Sequence, residues 1–278
     1  LRSFDLIFQC SDYIMSDSEI TQFTIFGERC SGTNHLQQVM EKNFDLPLVW
    51  EFGWKHCFCA EKGSKQGQLF EHGNGWEKGT VKNTLFLCIV RSPTAWVNSL
   101  YRSPHHITGL TQKHRVRSSP VRINEFLTKA IEFEGRPELY GPSGMQYSSV
   151  MRMRSEKIHY MLHNVAKNVH HCIMIRHEDM LSDFSGQMNR IRAMIPDRVK
   201  KGISFPLNHT GYKCNKKDDG SYLKTRSERR DWIKPSLVFG APGFDSRIEK
   251  KLGYRVPEGA DLIALRRAFL QWTPKTSV

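Results

Sequence analysis

A short apolar run, Phe23-Thr24-Ile25-Phe26, is followed at once by Gly27-Glu28-Arg29-Cys30-Ser31-Gly32-Thr33, and helical spacing of apolar residues begins near Asn34 to Leu36. Strand, glycine loop and helix in that order constrain the fold more than any other feature of the chain. Such a turn aims successive backbone N–H groups into one concavity at a helix N-terminus, where about half a positive charge favours a phosphate-like anion. The spacing from Gly27 to Gly32 matches the start of a Walker A loop, yet the next residues are Thr33 and Asn34 rather than Lys and Ser or Thr. A magnesium-dependent nucleotide hydrolase needs that lysine on its phosphates and that hydroxyl on its metal. The loop therefore reads as a phosphate site that works without a metal, with Arg29 and Lys55 as its cations.

Two further apolar, β-rich runs, Leu85 to Val90 and Cys172 to Ile175, are each followed by polar or turn-forming residues. Helical spacing follows the first loop (Leu36, Val39, Met40, Phe44) and the second strand (Trp96, Val97, Leu100, Tyr101). Repeated strand and helix predict an α/β fold, a P-loop-like three-layer sandwich with a central parallel sheet flanked by helices. A fourth candidate strand, Leu48 to Lys55, is expected beside the first, although Glu51 and Gly53 interrupt its apolar pattern. Residues 57 to 82 carry repeated glycines and read as a surface excursion. From Arg102 to Asn124 there are five Lys or Arg, three His and no acid, leading into a helix expected over Glu125 to Glu134. A length of 278 residues fits a single domain spanning 1–278.

A net charge of +13, from 41 Lys and Arg against 28 Asp and Glu, favours anionic partners. The seven cysteines are odd in number and scattered, which excludes the dense disulfide framework of a small secreted domain and points to a reducing compartment. No run approaches the roughly 18 apolar residues of a membrane span, and the first residues do not read as a signal peptide. A cytoplasmic location is expected; an anchor or targeting segment upstream of Leu1 would instead place the chain in the Golgi lumen or another organelle.

A second motif lies after the run Leu85 to Val90. Arg91 stands at the strand's C-terminal end, where parallel sheets bind ligands, and Ser99 follows eight residues later across a turn and two helical turns. A forked guanidinium and a hydroxyl that reach one point suit a phosphate monoester.

The two motifs together resemble the sulfotransferase superfamily, whose members use 3'-phosphoadenosine 5'-phosphosulfate (PAPS) as donor and release the 3',5'-bisphosphate PAP. Ser31-Gly32-Thr33 matches the family's phosphosulfate loop, and Arg91 with Ser99 matches its 3'-phosphate motif, including the intervening Pro93. Cys30 occupies the family's usual lysine position and Arg29 precedes it, so the loop cation is displaced by one residue. The resemblance implies donor contacts from Arg29, Cys30, Ser31, Gly32, Thr33, Asn34 and His35, together with Arg91 and Ser99. Trp54-Lys55-His56 resembles the strand end at which the family places its catalytic Lys and His, so His56 is implied as general base, with Lys55 and Arg29 on the leaving oxygen. Ile175 to Leu181 resembles a further family segment, and Arg226 before Asp231-Trp232 resembles the C-terminal cofactor loop without its glycines, implying Lys224 and Arg226 near the 3'-phosphate.

On this reading the reaction is sulfuryl transfer to a hydroxyl or amine of a small-molecule or glycan acceptor, with no metal, nucleic-acid or membrane partner. The core motifs span residues 23–232, and 57–82 and 102–150 are expected to face the acceptor. Cys57-x-Cys59 lacks the second pair that a structural zinc site needs. Two alternatives stay open from the residues alone. One is a P-loop-type nucleotide kinase or NTPase, which the missing Lys-Ser pair disfavours; the other is a non-catalytic polyanion-binding protein, which leaves the Arg91 and Ser99 spacing unexplained.

Overall fold

In a computed structural model, residues 19–53, 55–56, 81–102, 120–129, 147–201 and 233–271 are described. The three apolar runs form β1 (Gln22–Gly27), β2 (Thr84–Val90) and β3 (His171–Arg176), paired in parallel in the order β1-β2-β3. The central strand β2 is buried along its whole length, as a parallel strand covered by helices on both faces must be. Phe23 pairs with Leu85 and Gly27 with Ile89, so β1 and β2 end almost level. That register brings the loop after β1 next to the start of the segment after β2.

Side chains alternate across the sheet with period two, and each face has its own core. On one face, Phe23, Ile25, Leu87, Ile89 and Ile175 meet Leu36, Val39 and Met40 of α1 (Thr33–Asn43), joined by Met188 and Ile191 of a helix over Phe184–Met194. On the other, Phe26, Phe86, Cys88 and Val90 meet Ile158 of the helix over Val150–Tyr160, the π turn Met161–Val165 that prolongs it, and Ile248 of the helix over Ser246–Lys251. Each fully buried Leu, Ile or Phe contributes about 2 kcal/mol of transfer free energy, so these two layers hold the sheet between them. A third cluster contains no strand residue: Trp96 and Leu100 of α2 (Pro93–Arg102) pack with Phe126 and Leu127 of α3 (Pro120–Thr128). In chain order the helix over Val150–Tyr160 is α4, and His177–Ser182 and Phe184–Met194 are α5 and α6. Pro235–Gly240, Ser246–Lys251 and Gly259–Gln271 complete the series as α7, α8 and α9.

The α/β architecture with a parallel sheet between helices is the one expected. Two local expectations need correction. Over its described residues the segment 48–55 runs beside β1 but is not a strand: it makes a single parallel bridge, Leu48 to Phe23, and Val49 N donates to Phe23 O at 2.9 Å. It then turns, with Gly53 N donating to Trp50 O at 3.1 Å, and Gly53 takes φ 98°, a left-handed conformation that breaks an extended run. The chain returns to β1 at Lys55, whose carbonyl accepts from Gly27 N at 2.9 Å. The helix expected over 125–134 instead begins at Pro120, a residue suited to the first helical position, and is described to Thr128. The expectations for 57–80, 103–119 and 130–146, and for Lys224 and Arg226, lie outside the described residues. Among the described residues, no helix is long and apolar enough to cross a membrane.

Candidate active site

The loop begins where space forbids a side chain. A Cβ on Gly27 would lie 2.6 Å from Ile89 O and 2.8 Å from Thr33 Cγ2, so only glycine lets β1 end this close to β2 and α1. Beyond it the chain folds into a tight turn: Ser31 N donates to Glu28 O at 3.2 Å, and Ser31 Oγ donates to the same carbonyl at 2.7 Å. Cys30 sits at φ 63°, and Gly32 at φ 106° forms the N-cap of α1 without a side-chain cap. A cysteine in this conformation carries strain that a loop keeps only when its surroundings enforce it. The first turn of α1 contains no acid to offset the positive end of the helix dipole, which lies at this turn. A Cβ on Gly32 would lie 2.5 Å from His177 Cδ2, which shows how closely the buried His177 backs the turn.

Of the residues assigned to donor contacts, Ser31, Thr33 and His35 are buried, while Arg29, Cys30, Gly32 and Asn34 are partly exposed. The 55–56 segment is tied onto the loop's first residue. His56 is buried, and its Nδ1 lies 2.8 Å from Gly27 O. A carbonyl only accepts, so Nδ1 carries a proton and donates this bond. Lys55 Nζ donates to Asn34 Oδ1 in the first turn of α1 and lies 3.4 Å from Gln37 Oε1, with its ammonium 5.8 Å from the centre of the Trp50 ring. Lys55 is thus held at the helix N-terminus.

Both members of the second motif come to the same loop residue. Arg91, just past β2, donates from Nη1 to Cys30 O at 3.2 Å. The Ser99 side chain on α2 acts on the Cys30 thiol, pulling its pKa down. Burial pushes that thiol's pKa up, against the pull of Ser99 and the attraction of Arg91 and Arg29, so Cys30 stays a neutral thiol at the position where the resembling family has a lysine. The segment 175–181 supports α2 from below: Glu178 accepts from Ser92 N through Oε1 and from Tyr254 Oη through Oε2, both at 3.1 Å.

The sequence reading missed the residues that brace these parts. Trp96 Nε1 donates to Arg29 O at 2.8 Å. Arg154 of α4, 0% exposed, donates from Nη1 to Glu28 Oε2 at 3.0 Å and from Nη2 to Arg91 O at 2.7 Å. Glu249 of α8 takes a bidentate pair from the same guanidinium, at 2.5 Å from Nε and 2.8 Å from Nη2, and the guanidinium carbon lies 5.1 Å from the Trp96 ring centre. One turn along α4, the buried Lys157 donates to His56 O at 2.9 Å.

Burial pushes the Glu28 carboxyl up to about 7, against the attraction of Arg154 and Lys157. Among the described residues nothing donates to its second oxygen, Oε1, which accords with a carboxyl near its neutral form. Burial also works against the Arg154 charge, but Glu249 and Glu28 outweigh it and hold the guanidinium protonated. The signal in the sequence was faint: Arg154 and Lys157 fall four and seven residues after Val150, on the helix face that also carries Ile158. Read alone, they look like ordinary solvated cations.

No family model matches the sequence, and no curated protein matches it. Among solved structures the chain is similar to a mouse sulfotransferase in complex with PAP, at 12% identity over 92% of this chain and 83% of that one, with a TM-score of 0.35.

Proposed function

We propose that this chain is a PAPS-dependent sulfotransferase, moving a sulfuryl group to a hydroxyl or amine of a small-molecule or glycan acceptor. The observation that carries the reading is the convergence of two anion-binding elements on Cys30. The uncapped N-terminus of α1 surrounds one side of the turn, and Arg91 and Ser99 reach the same residue from the other. A donor with a 5'-phosphosulfate and a 3'-phosphate needs two such elements close together. A nucleoside triphosphate carries its charge in one chain and has no use for the second.

In the proposed reaction the acceptor's oxygen or nitrogen attacks sulfur, the bond from sulfur to the bridging phosphate oxygen breaks, and PAP leaves with that electron pair. His56, protonated on Nδ1, offers Nε2 for the acceptor's proton. Lys55, held at the first turn of α1, supplies positive charge for the leaving oxygen, and Arg29 adds to the field of the loop. The rest is positioning: the loop is fixed before substrate arrives, so little reorganisation remains for the chemical step.

Calorimetry in EDTA tests the reading. PAP is expected to bind at least about 100-fold more tightly than ATP, a gap of about 2.7 kcal/mol. Equal affinities, or an ATP affinity that appears only with magnesium, would return the chain to the kinase reading.

A further inference from the structure

We infer that Arg154 and Lys157, one turn apart on α4, are positioning residues that align the donor loop and the base separately, Arg154 through Glu28 and the Arg91 carbonyl and Lys157 through the His56 carbonyl. The inference rests on the proposed sulfotransferase reading and assigns roles that the loop and strand-end motifs do not contain. Two buried cations on one helix face are costly unless each is fully engaged, and here each is engaged with a different working part. Arg154 fixes the side chain of the loop's second residue and the carbonyl of Arg91, two residues before α2, at the same time. A shift of this guanidinium would therefore move the phosphate loop relative to Arg91. Lys157 hydrogen-bonds neither element, although its charge attracts the Glu28 carboxylate. It holds the backbone of His56, whose ring is also bound to Gly27 O, so it sets where Nε2 points.

Glu249 makes Arg154's role testable without destroying the fold, because its bidentate pair keeps the guanidinium neutralised when Glu28 is changed. Three variants, Glu28→Ala, Glu28→Gln and Lys157→Met, are to be compared with the unaltered chain. The readouts are calorimetric PAP affinity, thermal melting, and turnover with labelled PAPS and an acceptor pool. Glu28→Ala is expected to lose at least about tenfold in PAP affinity, the scale found when outer-shell partners of a site are removed. Glu28→Gln, which can still accept from Arg154, is expected to recover affinity to within about threefold of the unaltered chain. Lys157→Met is expected to keep PAP affinity within about twofold while kcat falls by about tenfold or more, with a displaced pH profile.

Two results overturn the inference and leave the functional reading intact: Glu28→Ala that melts earlier yet binds PAP normally, or Lys157→Met that lowers affinity and kcat together. Failure of the unaltered chain to bind PAP is different. It overturns the sulfotransferase reading and the inference with it.

Discussion

On one face of the sheet, Ile25, Leu87, Ile89 and Ile175 meet Leu36, Val39 and Met40 of α1 and Met188 and Ile191 of α6, hydrocarbon against hydrocarbon. On the other, Phe26, Phe86 and Val90 meet Ile158, but the helix that supplies Ile158 also buries Arg154 and Lys157, and α8 buries Glu249 beside Ile248. The packing on the first face removes apolar surface from water, and the helix it holds, α1, carries the turn at its N-terminus. The second face also buries apolar surface, and it carries a set of ions whose hydrogen bonds run to Glu28, to Arg91 O and to His56 O. Buried ions are poor value as glue, because desolvation offsets most of their attraction. What they supply here is direction, since a bidentate guanidinium fixes angles as well as distances. The comparison separates the chain's stability from the alignment of its site.

The sharpest way to break that separation is Arg154→Met. Leaving Glu28 and Glu249 buried without their cation is expected to cost about 3–5 kcal/mol in urea denaturation. The triple variant Glu28→Leu, Arg154→Met, Glu249→Leu is expected to return to within about 2 kcal/mol of the unaltered chain while PAP affinity stays lost. Recovery of affinity along with stability would erase the distinction between the two faces. On the apolar face, Leu87→Ala is expected to cost about 3 kcal/mol by leaving a cavity, with the PAP affinity of the folded protein unchanged.

A smaller effect separates the faces by pH. Glu28 is pushed up to about 7 from 4.5, so its folded value lies above its unfolded one and folding takes up a proton between them. The associated stability is fully present below 4.5 and is lost as pH rises through about 7. Relative to Glu28→Gln, the unaltered chain is therefore expected to lose on the order of 2 kcal/mol across that window, read from urea midpoints at each pH. Parallel curves for the two proteins would show that Glu28 does not titrate there.

The strands, their parallel pairing and the helices after β1 and β2 were legible because each rests on a local signal: a short apolar run, a glycine where the backbone must come close, a period near 3.6. The segment 48–55 misled because its aromatics resemble a strand, whereas Gly53 at φ 98° takes the chain out of the sheet after one bridge. At the site, the loop and the Arg91–Ser99 spacing could be read because both are contiguous in sequence. Their meeting at Cys30 could not, since it depends on the register that sets Gly27 opposite Ile89. Arg154, Lys157 and Glu249 were invisible for a related reason. A cation among apolar residues reads as a surface charge until the partner that neutralises it, 95 residues away in the case of Arg154 and Glu249, is known to sit beside it.

The central claim is that Arg91 and Ser99 are there for a 3'-phosphate, beside a loop that holds the 5' end of the same molecule. Calorimetry comparing PAP with AMP, which differ only in that phosphate, tests it most directly, on the unaltered chain and on Arg91→Ala. The account predicts that PAP binds at least about 100-fold more tightly than AMP and that Arg91→Ala removes most of the difference while AMP affinity changes little. Equal affinity for PAP and AMP in the unaltered chain would contradict it.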